Sequence, residues 1–304
     1  MDTIQAMRYF ARTVELGSMS AAAREFGTTQ STVSKIVGKL ETELGVRLLE
    51  RSTTGLALTD QGSRFFERAK CLLEDYENAV ADARGLTERA VGLLRINAPV
   101  GFGQFLLNGL IREFLDTYPE IEIELILNDR FVDLVEEGVD VVVRLGQQLP
   151  PDAIARKIAT APRWLVAAPD YLARHGKPRS PAHLSDHEYI RFAWSSSGDI
   201  VELQGPQGSV EVKIRGRYRV NNALALRESL VMGAGIGLCP VWLVQDLVTS
   251  GQLQRVLPKW QALPQEMFLI YLSRRYQPFR TRLLLDFLEA RIPALPGFTA
   301  LRAS

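Results

Sequence analysis

The chain has few of the residues that would fix a chemistry at once. Only two cysteines, Cys71 and Cys239, occur in 304 residues, far apart and without metal-ligand spacing. That excludes a disulfide framework and fits a reducing compartment. The three histidines, His175, His183 and His187, share one polar, proline-rich stretch. Their spacing defines no metal site, so surface or loop-packing roles are expected. No run approaches the ~20 continuous apolar residues of a membrane span. The opening MDTIQAMRYFARTVELGS lacks the basic and long apolar regions of a secretory signal, so a soluble, cytoplasmic protein is expected. Net charge is scarce too: 36 Lys and Arg against 35 Asp and Glu leave +1. Any nucleic-acid reading must therefore rest on motif and placement. No Ser-His-Asp, Cys-His or metal constellation points to an enzyme, and no cofactor is expected. The glycines of VMGAGIGLCP lack the lysine of a phosphate loop and suit a helix-to-strand turn. Cys239, in the apolar run GIGLCP, reads as a small core residue.

What is present is organised in three stretches. Residues 1–58 read as three helices and a hairpin. Ile4, Met7, Phe10, Ala11 and Val14 recur at helical spacing, and Gly17 stops that helix. Ser18 or Ser20 can cap the next, which Gly27 ends; Thr28 or Thr29 can cap the third, roughly Gln30 to Glu43. The third helix has Val33, Ile36, Val37, Leu40 and Leu44 on its inward side. Its outward side shows Gln30, Ser31, Thr32, Ser34, Lys35, Gly38 and Lys39. With the small run Ala21 to Ala23 allowing close approach of the second helix, this is helix-turn-helix spacing. Short polar groups at the start of the third helix are the types that reach base edges and phosphates in a major groove. Val46–Leu49 and Leu56–Leu58 can pair as a wing with Ser52 to Gly55 at its tip, placing Arg51 near backbone phosphate. A purely structural three-helix unit is the alternative.

Thr59 to about Leu86 reads as one long helical stretch. Phe65, Ala69, Leu72, Tyr76, Ala79, Ala83 and Leu86 alternate steps of four and three, a heptad seam that predicts a dimer helix. The alternative is a single helix lying on its own domain. From residue 91 the texture changes to short apolar runs alternating with amphipathic helices: LLRINAP, FGQFLLNGLIREFLDTYP, IEIELILN, FVDLVEEG and VDVVVRLG. That order predicts a parallel sheet with right-handed crossovers. A second set runs from RWLVAAP through a hairpin at GPQG to IGLCP, with MFLIYLS and FRTRLLLDFLEARI last.

Residues 1–64 resemble the N-terminal domain of LysR-type transcriptional regulators, through GSMSAAAREFGTTQSTVSKIVGKLETELGVRLLER and LALTDQG. The resemblance continues through AAPDYLARHGKPRSPAHLSDH and covers the whole chain. The fold it implies is α+β overall: a winged helix-turn-helix over 1–58, a dimerisation helix over 59–90, and a two-lobed α/β periplasmic-binding-protein-like domain over 91–304. Lobe I would hold 91–161 and 269–292, and lobe II 163–264. The resemblance implies DNA contacts from Gln30, Ser31, Thr32, Ser34, Lys35 and Lys39, and from Arg51 and Thr53 in the wing. It also implies a small-molecule effector between the lobes. One departure is Thr54-Gly55, where many members place another basic residue at the wing tip.

Open α/β sheets bind ligands beyond the carboxyl ends of their strands. That rule nominates Val100, Gly101, Phe102, Asn128 with Asp129, and Arg144 from lobe I, and Trp164, Phe192, Trp194, Asn221 and Asn222 from lobe II. A guanidinium at a strand end suits a carboxylate, and the aromatic candidates suit an apolar body. The working expectation is therefore a small, partly apolar carboxylate; the alternative for Arg144 is pairing with Asp129 or Asp140. Expected partners are double-stranded promoter DNA, the effector, further copies in a homodimer or homotetramer, and RNA polymerase, with no membrane. The competing class is an α/β enzyme or solute-binding protein with an N-terminal adaptor.

Overall fold

The computed structural model describes residues 2–52, 55–83, 90–130, 137–146, 153–193, 198–206, 208–272 and 277–301. Thr53, Leu86, Trp194 and most of the helix expected over FVDLVEEG lie outside this set, as do the side chains of Arg51, Ala79 and Ala83. The chain divides into two compact units, an N-terminal helical one and a β-rich one that begins at Ala90.

In the first unit, each helix starts where a short polar side chain can satisfy a free backbone N–H. Asp2 caps α1 (Thr3–Glu15), Ser18 caps α2 (Met19–Glu25) and Thr29 caps α3 (Gln30–Leu44). Gly17 and Gly27 take the left-handed backbone at the two turns between them. Ala22 and Ala23 are buried, so α2 packs closely, and Val33, Val37 and Leu40 of α3 complete a core around Phe10. Leu44 departs from the expected inward face. It is 39% exposed as the last residue of α3, before Gly45 turns the chain away in the left-handed conformation.

The wing is β1 (Leu49–Ser52) paired antiparallel with β2 (Gly55–Leu58), in register from Leu49↔Leu58 to Ser52↔Gly55. Strand pairing starts at Leu49 rather than Val46, which is 40% exposed. Glu41 explains the start: its Oε1 accepts the backbone N–H groups of Leu48 and Leu49 at 2.7 and 3.0 Å, tying α3 to the wing. The helix α4 (Asp60–Ala83) follows, with Thr59 Oγ1 accepting the N–H of Gly62 at 2.8 Å.

The second unit opens on β3 (Gly92–Ala98), α5 (Val100–Phe102), a π-helical turn over Gly103–Leu107, and α6 (Asn108–Thr117). Next come β4 (Ile121–Leu127), β5 (Val141–Leu145) and the long β6 (Ala153–Ala167). Then follow α7 (Pro169–His175), β7 (Arg191–Phe192), β8 (Ile200–Gly205), β9 (Gly208–Lys213), β10 (Arg219–Val220) and α8 (Ala223–Val231). The unit ends with β11 (Ile236–Pro240), α9 (Val241–Thr249), β12 (Gln254–Val256), β13 (Gln261–Leu272), α10 (Phe279–Arg291) and β14 (Thr299–Ala300).

The strand β3 pairs parallel with both β4 and β5, the arrangement that helical crossovers impose. Leu94, Ile96 and Ala98 of β3 and Val141 and Val143 of β5 face Phe102, Leu107 and Phe114 in the main core.

Two strands run through both halves of the unit. Along β6, residues from Ala153 to Ala161 pair antiparallel with β13, and Arg163 to Ala167 pair with β11. On β13, Met267 to Ile270 pair with β5 in one half, and Gln261 and Ala262 with β8 in the other. The β6–β13 register breaks between Ala262 and Gln265, which locates the crossing between halves. At that crossing β14 adds two residues to β6, opposite Thr160 and Ala159.

Candidate functional site

The exposed stripe of α3 carries Gln30, Ser31, Lys35 and Lys39, with Thr32 and Ser34 half-buried beside it. Ser31, Lys35 and Lys39 follow at steps of four and so share one face. The first turn is held from below: Thr29 accepts the N–H of Thr32, and its hydroxyl lies 2.9 Å from the hydroxyls of both Ser31 and Thr32. Gln30 reaches Met19 Sδ at 3.9 Å, so α2 also fixes the start of α3. Behind them Arg12 clamps α1 to α2 through two bonds to Glu25, at 2.8 and 2.7 Å, and one to Glu15 at 2.6 Å. These bonds hold the Glu25 carboxyl below its usual pKa. The stripe is thus a rigid, lightly charged surface, and the wing hairpin is anchored to the same helix through Glu41.

The heptad residues of α4 separate into two groups. Phe65 packs partly buried against the core and lies 5.6 Å from the Phe10 ring; Ala69 is fully buried. Leu72 and Tyr76 are 51% and 45% exposed. The start of α4 is used by its own domain because Phe66 also meets Phe10, edge-on at 6.3 Å, and Leu73 is buried one position off the seam. Arg8 of α1 pairs with Glu77 at 3.2 Å and lies 5.9 Å from the Tyr76 ring, extending that contact.

In the second unit the strand-end residues are not all brought together. Phe102 is fully buried, edge-on to Trp242 and Phe298 at 5.9 Å each, so its ring is core rather than cleft wall. Arg144 is nearly buried on β5, and its Nη2 donates to the carbonyl of Arg130. That carbonyl engages at least one of the five guanidinium N–H donors. Trp164 lies on β6 under the Arg255 guanidinium, 4.4 Å from the ring centroid. Phe192 is in the short β7–β10 pairing opposite Val220. Asn221 is exposed. Asn128 donates its backbone N–H to Ala98 at 3.1 Å, while its side-chain oxygen is buried with no partner among the described residues.

Val100, Gly101 and Asn222 do converge. Asp129 Oδ1 accepts the Val100 N–H at 3.1 Å, and Oδ2 accepts from Asn222 Nδ2 at 2.8 Å. A Cβ on Gly101 would lie 3.4 Å from Ala223 Cβ, which places α5 against α8. Arg227 of α8 covers the Phe105 ring at 5.0 Å and pairs with Asp246, whose carboxyl it holds below its usual pKa. Sequence reading offered Asp129 as a strand-end candidate or a partner for Arg144, not as a partner of Val100 and Asn222, and it missed Phe105, Arg227, Trp242 and Phe298. No local motif marks these four, since each acts only across the fold.

Tyr171, His187 and Cys239 sit within the packing of the second unit. Tyr171 lies between His175, stacked at 4.6 Å, and His187, whose Nδ1 is 3.2 Å from the hydroxyl. Burial and then the neighbouring His175 push the His187 pKa down. Burial pushes the Cys239 thiol up to about 12, which leaves it a protonated core group. Among the described residues no helix is long and apolar enough to cross a membrane.

Known families match both units. The LysR substrate binding domain matches residues 87–293, and the bacterial regulatory helix-turn-helix protein, lysR family, matches residues 4–63. The chain is 30% identical over 289 residues to the HTH-type transcriptional activator AaeR of Escherichia coli K12, covering 95% of this chain and 93% of that protein. It is 34% identical over 278 residues to the HTH-type transcriptional activator TtdR of Escherichia coli O6:K15:H31, covering 91% and 89%. CrgA, a LysR-type transcriptional regulator from Neisseria meningitidis, superposes with TM-score 0.61 at 29% identity, over 95% of this chain and 98% of that one. The full-length Vibrio cholerae virulence activator AphB gives 0.59 at 29% identity, over 94% and 98%. These relatives are transcription regulators and not enzymes. A winged helix-turn-helix head and a two-lobed effector-binding region thus stand in one chain, which belongs to the LysR family of DNA-binding transcriptional regulators.

Proposed function

We propose that α3 reads promoter DNA through Gln30, Ser31, Thr32, Ser34, Lys35 and Lys39, with Arg51 and Thr53 of the wing on the phosphates. The exposed polar stripe on a capped, doubly anchored helix carries this reading. Two heads act together, as a homodimer or a dimer of dimers joined through α4, where Leu72 and Tyr76 offer exposed apolar surface. The DNA-bound assembly lies within reach of RNA polymerase.

The controlling ligand in this reading is a small, partly apolar carboxylate bound between the two halves of residues 91–304. Two donors from opposite halves, the Val100 N–H and Asn222 Nδ2, already converge on a single carboxylate, that of Asp129. Such a pair of donors suits an acid group, which would displace the Asp129 carboxylate to use it, and Arg144 stays a further candidate partner for the acid. A ligand acts by its differential affinity for two arrangements of the halves. Thermal shift with aromatic and branched aliphatic monocarboxylates, against amines and sugars of similar size, tests it. Stabilisation by acids is expected; stabilisation by amines or sugars alone overturns the acid assignment.

A further inference from the structure

Asp129 follows β4 in one half of the second unit, and Asn222 precedes α8 in the other. Their side chains form one continuous chain of hydrogen bonds. Val100 N–H donates to Asp129 Oδ1 at 3.1 Å, and Asn222 Nδ2 donates to Asp129 Oδ2 at 2.8 Å. Asn222 Oδ1 then accepts the N–H groups of Leu224 and Ala225 at 3.0 and 3.1 Å, capping α8. The carboxylate therefore ties the start of one helical run to the start of another across the two halves.

The contacts around this chain are of a different kind. Phe102 meets Trp242 edge-on, Phe105 lies under Arg227, and Gly101 faces Ala223. Ring and methyl contacts of this sort tolerate sliding, whereas a hydrogen bond to a charged acceptor weakens steeply with distance and angle. Asp129 is bonded on both oxygens and Asn222 on both ends of its amide. Neither group can turn to a new partner without releasing one it already holds.

We infer that Asp129 is a positioning residue that clasps the two halves of the effector-binding region in one arrangement, through Asn222. Any ligand that enters between the halves must part this bond or build on it. The clasp does not depend on the ligand being an acid, so a failure of acids to bind would leave it standing.

The pair can be inverted. Asp129→Asn sets two amide NH2 groups against each other, because each amide oxygen is already committed to a backbone N–H. Asn222→Asp sets two carboxylates against each other while keeping a good cap on α8. The double variant exchanges donor for acceptor and restores the bond. Amide hydrogen exchange in the full-length protein reads the result in the segments 99–104 and 222–227. Each single variant is expected to exchange about tenfold faster or more there, the scale of one charge-assisted hydrogen bond. Exchange in β3 and α9 should stay as in the parent, and the double variant should return to within about threefold of it. Parent-like protection in both singles overturns the clasp, as does a double variant no better protected than the singles. A single variant that loosens the whole unit equally also overturns it, because the effect would then not be local.

Discussion

Gly62 stands so close to Leu48 that a Cβ on it would lie 1.9 Å from the Leu48 carbonyl oxygen. That oxygen also accepts the N–H of Thr59 at 3.0 Å, and Thr59 caps α4 through Gly62 itself. The wing and α4 are therefore joined at a point with no room for a side chain. Gly62→Ala should cost about 3 kcal/mol or more, because backbone atoms must move to relieve the overlap. Thermal melts of the full chain should show the loss in the helical unit, and gel shifts should show weakened DNA binding. A melting profile equal to the parent's would mean that the junction yields more easily than its geometry implies.

Lys35 lies on the exposed stripe of α3, four residues from both Ser31 and Lys39. If its ammonium neutralises one phosphate, Lys35→Ala lowers the slope of log affinity against log salt by about 0.9. The loss should be uniform across binding sequences, since a phosphate contact carries no base information. Titrations of a duplex selected from a random pool, at several salt concentrations, measure this. An unchanged slope removes Lys35 from the phosphate contacts.

His187 gives the second unit a defined pH response. Burial, reinforced by His175 and opposed by Asp186, lowers its folded pKa below its usual value near 6.5. The folded state thus prefers the neutral ring. The stability from that preference is fully present above about pH 6.5 and is lost as pH falls through the lowered folded value. His187→Gln keeps a polar partner for the Tyr171 hydroxyl and removes the titration. Its melting temperature should fall less than the parent's between pH 7 and pH 5. Equal falls would mean that other groups carry the acid sensitivity.

The parts of this protein that were legible in the sequence are the local ones. A cap at Ser18 or Ser20 and at Thr28 or Thr29, Gly17 and Gly27 at the turns, and the helix between β3 and β4 all follow from short-range rules, and the structure takes Ser18 and Thr29. The heptad of α4 was real as a pattern, but it could not say which helix would receive it. Phe65 and Ala69 went to the domain's own core because Phe10 offers an aromatic surface beside them. Phe102 went to the core for a similar reason: Trp242 and Phe298 arrive from 140 and more residues later in the chain to cover it. Arg144 was judged by its charge and strand end, with Asp129 or Asp140 as alternative partners, and the carbonyl that engages it, that of Arg130, comes from a loop 14 residues earlier. The Asp129–Asn222 bond spans 93 residues, a separation at which sequence spacing carries no geometric information.

The position of β13 shapes the order in which this protein is made. Residues Gln261–Leu272 lie between β5 and β6, so the strand that joins these two is missing until residue 272 has left the ribosome. The head has its own hydrophobic core, drawn from residues Ala6 to Phe66. At roughly 5–20 residues per second, the head is complete about 10–40 s before that central strand emerges. Each new chain thus passes through an interval in which its reading head is folded while the domain that governs it is still being synthesised.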